Sequence, residues 1–256
     1  YTVSYSYDKN NRLTQNTKRE GLQETISEYF YDGNGNQTAV LVSTLQGVAS
    51  APSTYTLSQN DSDVTFYGYD GFNQLTKVES GGSVAEYTYL PSGLRNSKTV
   101  DGATTTFTLD GGNVVLESQG SNVTAKYLRA QNLVSSTINN TTQYYLYNGH
   151  GDVTQLTNAA GTVTKPYDYD AFGNEQGPVD TDSNPFRYCG EYFDEELQEV
   201  YLRARSYSPA TGRFTSSDPA RSGSNGFAYG NSNPLTHPDS SGSGSVRAGG
   251  AEEGVA

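Results

Sequence analysis

Cysteine and histidine, the side chains most typical of zinc sites, are sparse in this chain of 256 residues. It has one cysteine, Cys189, and two histidines, His150 and His237. Neither histidine has a second ligand at the spacing typical of zinc sites, so we expect both to be loop residues. A single cysteine excludes an intrachain disulfide framework, and we expect Cys189 to be a small buried side chain. From these residues we predict no metal and no cofactor.

The stretch "DGNGN" at residues 32–36 resembles the opening of a calcium loop, because it places oxygen-bearing side chains at alternate positions. A calcium loop also needs a glycine at the sixth position and an acid at the twelfth. This chain has Gln37 and Ser43 there. Asp, Gly and Asn are also the residues that favour tight turns. We therefore predict a turn, with Gly35 in a positive-φ position.

A phrase with two tyrosines recurs along the chain. It reads "YFYDGNGNQT" from Tyr29, and similar phrases begin at Tyr5, Tyr67, Tyr145 and Tyr167. Residues two apart in an extended strand point to one face, so the paired tyrosines share a face. The residues Asp, Gly and Asn then favour a turn, and β-branched residues resume the strand. Each copy therefore predicts one β-hairpin.

These repeats predict an all-β fold. From Tyr67 onward the units recur about every 20 residues, and hairpin repeats of this kind gain stability by stacking on their neighbours. We expect an antiparallel β-hairpin ribbon over residues 1–174, without a long helix before residue 190. Such a ribbon has edges through which copies could self-associate. The tyrosines spaced by two should be at least half buried: Tyr29, Tyr31, Tyr67, Tyr69, Tyr87 and Tyr89.

The composition excludes some classes of function. Hydrophobic residues make up only 33%, but 21 residues are tyrosine, so aromatic rings must supply much of the buried area. The net charge of −12 argues against nucleic-acid binding, which needs clustered Lys and Arg. No apolar run approaches the length of a membrane span. The chain begins at Tyr1 without Met, and we expect a fragment or processed piece of a secreted or cell-surface protein.

The repeat pattern stops before the end of the chain. Residues 175–185, "EQGPVDTDSNP", are rich in Gly, Pro and acids and predict a boundary segment. Residues 186–239, which we call the core module, carry dense charge of both signs. We expect them to form a compact plug against the ribbon, with Arg203 or Arg205 paired to a carboxylate. Residues 240–256 have the composition of a flexible tail.

These residues resemble the RHS/YD-repeat family, which includes bacterial Rhs proteins, the C subunits of Tc toxins and the animal teneurins. The phrases "YFYDGNGN" and "YGYDGFNQLT" resemble YD repeats. Residues 186–219 resemble the more specific RHS-associated core, because "FRYCGEYFDEE", "YLRAR", "SPATGRF" and "SDP" match it in order and spacing. The resemblance covers residues 5–243.

The resemblance implies a function. Family members wind the ribbon into part of a hollow shell that encloses a toxin or other C-terminal polypeptide, and the core closes one end. In several members the core also cuts the chain, using aspartates assisted by an arginine. Carried onto this sequence, these residues are Arg205, Asp218 and Asp239. The matching scissile bond is Ser243–Gly244.

Two neighbouring carboxylates could act as acid and base, because both do not ionise easily together. An arginine could stabilise charge on the carbonyl oxygen. The alternative is that Asp218 and Asp239 only cap turns. Ser240 and Ser243 replace the proline and leucine of the family pattern, so we expect slow or absent self-cleavage.

Three interpretations follow for the function. The first is a structural shell segment that encloses or carries its own C-terminal polypeptide or toxin cargo. The second is a self-cleaving aspartyl protease that acts once on its own chain. The third is an extracellular adhesion module whose tyrosine-rich surface binds glycans.

Overall fold

The computed structural model describes residues 1–46, 63–177, 183–220 and 225–243. Two antiparallel sheets contain its strands, and the described residues include short 3-10 turns but no α-helix. The larger sheet consists of β1 (Thr2–Tyr7), β2 (Leu13–Glu20), β3 (Gln23–Tyr31), β4 (Gln37–Gln46), β5 (Val64–Tyr69), β6 (Leu75–Ser80), β7 (Ser83–Tyr89), β8 (Arg95–Val100), β9 (Ala103–Asp110), β10 (Asn113–Gln119), β11 (Asn122–Arg129), β12 (Leu133–Ile138), β13 (Thr141–Tyr147), β14 (Val153–Thr157) and β15 (Val163–Pro166). The smaller sheet consists of β16 (Tyr192–Asp194), β17 (Glu199–Tyr201), β18 (Ser206–Ser208) and β19 (Arg213–Phe214).

Strand order in both sheets follows chain order, so every strand pairs with the next one along the sequence. The large sheet is therefore one continuous ribbon of hairpins. The predicted all-β fold with an antiparallel hairpin ribbon is confirmed. Strand β1 pairs with β2 on one side only, and its Tyr5 and Tyr7 are exposed.

The aspartate of the repeated phrase closes a turn. Asp32 Oδ1 accepts hydrogen bonds from the backbone N–H groups of Asn34 at 2.9 Å and Asn36 at 2.8 Å. Gly35 has φ of +88° and donates its N–H to the Asp32 carbonyl at 3.2 Å. The turn interpretation of "DGNGN" and the positive φ of Gly35 are thus confirmed. Asp or Asn side chains accept the same pair of backbone bonds at positions 8, 70, 148, 158 and 170.

One edge of the ribbon collects most of these capped loops. Because the strands alternate in direction, the connections after odd-numbered strands lie together along this edge, which we call the loop edge. The core module packs against it. Ser217 donates its N–H to the Gly35 carbonyl at 3.2 Å, and the N–H of Gln37 bonds the Thr215 carbonyl at 2.9 Å.

Aromatic side chains fill the space between the ribbon and the core module. The six tyrosines predicted to be at least half buried are all so, which confirms that prediction. Rings from the ribbon and the core module share one cluster, in which Tyr127 meets Phe186 edge to face with centroids 4.9 Å apart. Its other buried rings are Phe107, Tyr145, Tyr167 and Tyr192. A second cluster inside the core module contains Tyr188, Tyr207, Phe214 and Tyr229.

A buried ion pair joins β8 of the ribbon to β16 of the core module. Arg95 Nη1 lies 2.5 Å from Asp194 Oδ2, and both side chains are almost fully buried. Lys98 of the same ribbon strand lies 3.2 Å from Asp194 Oδ1 and 3.0 Å from Glu196. The core module is thus fixed to the ribbon by charge as well as by aromatic packing.

A second buried carboxyl lies directly opposite Asp194 in the neighbouring strand β17. Its residue, Glu199, is 4% exposed, and Glu199 Oε2 has no hydrogen-bond partner in the part of the chain that the structure describes. Burial, together with the charge of Asp194, raises the pKa of Glu199 to about 8. Burial alone would also raise the pKa of Asp194, but Arg95 and Lys98 lower it. At neutral pH Glu199 therefore keeps its proton while Asp194 is ionised.

Substitution of Gly35 should test the docking of its turn on the core module. Gly35 and Gly102 have φ of +88° and +85°, so Gly35→Ala and Gly102→Ala both incur about 1–2 kcal/mol of backbone strain. A Cβ at Gly35 would lie 3.0 Å from Ser217 Cβ, whereas none of the described atoms lies within 4 Å of one at Gly102. We expect Gly35→Ala to lower the free energy of unfolding by about 1–3 kcal/mol more than Gly102→Ala. Equal losses in urea unfolding would contradict the docking.

Replacement of the ionisable Glu199 carboxyl by an amide should change the pH dependence of stability. A carboxyl whose pKa is raised on folding contributes stability that is full below its unfolded pKa, about 4.3, and is lost as pH rises through the folded pKa. We expect the free energy of unfolding of wild type to fall by a few kcal/mol relative to Glu199→Gln between about pH 4 and pH 8. The exposed Glu86 provides the control Glu86→Gln. Parallel pH profiles for all three proteins would show that the Glu199 carboxyl is not perturbed.

Candidate functional site

The chain that leaves the core module lies along the segment that carries the two arginines. Arg203 Nη1 donates to the Ser240 carbonyl at 2.6 Å, and the N–H of Ala204 donates to the Ser241 carbonyl at 3.2 Å. Arg205 Nε donates to the Gly242 carbonyl. We expected a flexible tail from Ser240 onward. In residues 240–243 three successive carbonyls are bound, and residues 244–256 lie outside the described part.

Arg205 is the centre of the predicted catalytic group. Its guanidinium is buried, lies over the ring of Phe214 at 3.5 Å and donates to the Gly226 carbonyl at 2.8 Å. Arg205 Nη2 lies 3.7 Å from Asp239 Oδ2. Burial lowers the pKa of Arg205, and the charges of Asp218 and Asp239 oppose this shift. The structure therefore brings all three sequence-predicted residues together.

Both aspartates of this group also close turns. Asp239 Oδ1 accepts hydrogen bonds from the N–H of Gly242 at 2.9 Å and from Ser241 Oγ at 3.1 Å. Asp218 Oδ1 accepts the N–H of Ala220 at 2.9 Å. Turn capping is thus compatible with an electrostatic role, because each carboxylate accepts a backbone hydrogen bond while its charge acts on Arg205.

The other arginine of the segment has a different environment. Arg203 Nη1 lies 2.9 Å from Glu191 Oε2, and its Nε donates to the carbonyl of Gly112 on the loop edge at 3.1 Å. Both arginines of the predicted pairing therefore contact carboxylates. Of the predicted scissile bond, Ser243 is exposed and Gly244 lies outside the described residues.

A cleft of about 620 Å³ lies between the loop edge and the core module. Residues from both partners line it. Those of the ribbon include Asn36, Tyr69 and Tyr89, and those of the core module include Arg205 and Asp218. This arginine and this aspartate therefore lie in the wall of the cleft.

The structure also brings together a second cluster of polar side chains, which the spacing of residues in the sequence did not predict. His150 lies in the loop between β13 and β14, as predicted for a loop residue, and Cys189 lies in the short turn Tyr188–Gly190 of the core module. His150 Nδ1 is 2.9 Å from Asp152 Oδ1 and 3.9 Å from Cys189 Sγ. No local pattern signals this contact, because 39 residues separate His150 from Cys189.

The ionisation of this cluster follows from its contacts. The hydrogen bond to Asp152, with a further one to Cys189, raises the pKa of His150 to about 11. Burial would raise the pKa of Asp152, but hydrogen bonds from His150, Asn148 and the Cys189 amide lower it. Burial raises the pKa of the Cys189 thiol. At neutral pH the cluster holds an imidazolium, a carboxylate and a thiol.

Comparison with known proteins identifies the family. The RHS Repeat family model matches residues 147–182. The tRNA3(Ser)-specific nuclease WapA of Bacillus spizizenii is 34% identical over 92% of this chain. The chain belongs to the RHS-repeat family. This RHS-repeat chain spans 12% of the length of that relative.

Solved structures show the same fold. The structure of the Photorhabdus luminescens Tc holotoxin pore matches 98% of this chain and 16% of its own chain, with a TM-score of 0.59 and 18% identity. The crystal structure of TcdB2-TccC3-Cdc42 matches 94% of this chain and 15% of its own, with a TM-score of 0.58 and 17% identity. The RHS-repeat sheet of this chain therefore resembles the Tc toxin RHS shell. Among the described residues, no helix is long and apolar enough to cross a membrane.

Proposed function

We propose that this chain is a shell segment of a larger RHS-repeat protein. In this shell the ribbon forms part of the wall, and the core module closes one end of the shell. The proposed units are the ribbon at residues 1–174, the boundary segment at 175–185, the core module at 186–239 and a tail. The first residues of the proposed tail, 240–243, lie along residues 203–205. The observation that carries the proposal is the core module seated along the loop edge, where it holds the departing chain through Arg203 and Arg205.

The chain that follows Ser243 would lead to a C-terminal polypeptide, which is the cargo of the shell. The relative WapA is named as a tRNA nuclease, and we propose a toxin-like cargo of comparable kind for the parent of this chain. The segment itself has a net charge of −12, so tRNA would be contacted by the cargo and not by the wall. We propose that the parent protein acts outside the cell or at its surface.

Protease protection tests this proposal. The coding sequence on both sides of the segment is read first, and the full-length product is then digested under limiting conditions. We expect the polypeptide beyond residue 243 to resist digestion in the intact protein and to be cut rapidly when it is expressed alone. Arg95→Ala, which leaves Asp194 without its main partner, should expose the cargo.

The control for this experiment is Arg19→Ala, because the Arg19 side chain is 70% exposed. That variant should protect the cargo as well as wild type does. Equal digestion of the cargo in the intact protein and in isolation would contradict enclosure. A parent gene that encodes no further repeats would also contradict enclosure.

A second function, self-cleavage, is favoured by one specific observation. Arg205, Asp218 and Asp239 gather at the point where the chain leaves the core module. In this proposal the aspartates act as acid and base, and Arg205 stabilises charge on the carbonyl oxygen of the Ser243–Gly244 bond. Ser240 and Ser243 hold the chain less firmly than proline and leucine would. Misplacement of reacting groups by about 1 Å can cost roughly a hundredfold in rate, so slow or absent cleavage is proposed.

Intact-mass spectrometry of freshly made protein tests the cleavage proposal. The unaltered chain should remain largely uncut, and the double variant Ser240→Pro, Ser243→Leu should cleave faster after residue 243. Addition of Asp218→Asn should abolish this gain, whereas Asp168→Asn, at an exposed aspartate, should not. Complete cleavage after Ser243 in the unaltered chain would show that the two serines do not impair the site.

A further inference from the structure

Three potential metal ligands from the ribbon and the core module converge at one point. His150 Nδ1, Asp152 Oδ1 and Cys189 Sγ all lie within 4.8 Å of one another. The first two come from one loop of the ribbon, and the third comes from the core module. Nitrogen, oxygen and thiolate sulfur together are ligands that Zn²⁺ accepts.

The hydrogen bonds of the imidazole fix which nitrogen faces the cluster. His150 Nε2 lies 2.9 Å from the carbonyl oxygen of Pro234. A carbonyl oxygen only accepts, so Nε2 carries a hydrogen and donates it. Nδ1 is then the nitrogen whose lone pair becomes available once its own proton leaves. A backbone carbonyl that holds the remote N–H is the usual outer partner of a metal-bound histidine.

The same geometry argues against a nucleophilic triad. In a triad the nucleophile and the carboxylate take opposite nitrogens of one imidazole, so that the ring can accept a proton from one side while the other side orients it. Here Cys189 Sγ and Asp152 Oδ1 both face Nδ1, at 3.9 Å and 2.9 Å. The ring therefore cannot connect them, and the three atoms instead surround a common point.

We propose that His150, Asp152 and Cys189 form a zinc-class metal site that ties the ribbon to the core module. In a tetrahedral zinc site, bonds of about 2.0–2.3 Å place neighbouring ligand atoms about 3.3–3.6 Å apart. The two separations from His150 Nδ1, 2.9 Å and 3.9 Å, differ from that range by a few tenths of an ångström, and all three ligand atoms lie within 4.8 Å of one another, so closure onto a metal draws the Asp152 and Cys189 side chains together by up to about 1 Å. Small side-chain rotations would therefore complete the three-ligand set.

Outer contacts hold the ligands in place. Asn148 Nδ2 donates to Asp152 Oδ2 at 2.8 Å, which leaves Oδ1 to face the histidine. The backbone N–H of Cys189 bonds Asp152 Oδ1 at 2.9 Å, and the Tyr229 hydroxyl lies 3.5 Å from Cys189 Sγ. That hydroxyl can donate to a thiolate.

Metal binding replaces protons at two of the ligands. The thiol proton of Cys189 and the Nδ1 proton of His150 leave to solvent, and no oxidant or reductant is required. The bound ion links residues 148–152 of the ribbon to the turn at Tyr188–Gly190. Because the ligand set is complete only when ribbon and core module are docked, the metal should stabilise that docked state.

Cobalt spectroscopy of the whole chain tests the site. The chelator-treated protein is titrated with Co²⁺, which substitutes for Zn²⁺ and is coloured. We expect one equivalent to produce a near-ultraviolet thiolate-to-cobalt band and the visible bands of a tetrahedral site, and Zn²⁺ to abolish both. Since Cys189 is the single cysteine, the thiolate band can arise from no other residue.

Variants separate the ligands from the rest of the chain. Cys189→Ser should lose the thiolate band, and His150→Gln should weaken binding by more than the about 10–100-fold expected for loss of an outer-shell partner. His237→Gln, at the only other histidine, should bind as wild type does. Zn²⁺ should also raise the Tm of wild type but not of Cys189→Ser.

The wild-type titration decides the proposal even if a variant fails to fold. Absence of the thiolate band in folded wild-type protein would overturn it. Binding by Cys189→Ser as tight as that of wild type would also overturn it.

Discussion

The buried ion pair between Arg95 and Asp194 is the contact on which the arrangement of this protein depends. The guanidinium lies 4.1–5.4 Å from the centroids of four rings, two from the ribbon and two from the core module: Tyr87, Phe107, Tyr192 and Tyr201. Either charge alone would be buried without compensation, which typically costs about 3–5 kcal/mol. Separation of the ribbon from the core module would therefore leave Arg95 without its carboxylate and Asp194 without both of its cations.

A core made of tyrosine imposes a second constraint, because each buried phenol needs a hydrogen-bond partner. Glu117 on β10 illustrates how the chain meets it. Its carboxylate accepts the hydroxyls of Tyr127 at 2.8 Å and Tyr192 at 3.0 Å, which come from the ribbon and the core module respectively. Burial raises the pKa of Glu117 despite these bonds. Acidic residues are thus partners of the aromatic core as well as part of the surface charge.

The capped loops connect this packing to function. Their turns are closed by Asp or Asn side chains, so the loop edge presents backbone carbonyls and side chains in fixed positions to the core module. His150 and Asp152 belong to a loop of this edge, and Arg205 lines the cleft between the edge and the core module. The comparisons establish the family and the shell-like fold. Cargo enclosure, self-cleavage and the metal site are proposals that build on them.

The sequence by itself determined the hairpin ribbon, the Gly35 turn and the burial of the paired tyrosines. These features depend on neighbours in the chain, namely the two-residue period of strands and the turn preferences of Asp, Gly and Asn. The resemblance to the RHS/YD-repeat family, rather than any pattern of neighbouring residues, implied that Arg205, Asp218 and Asp239 belong together. Only the tertiary structure decided what lies far apart in sequence: the pairing of Arg95 with Asp194, the binding of residues 240–243 along residues 203–205, and the approach of His150 to Cys189. Those contacts depend on how the ribbon packs against the core module, and that packing joins side chains from many strands rather than following any local pattern.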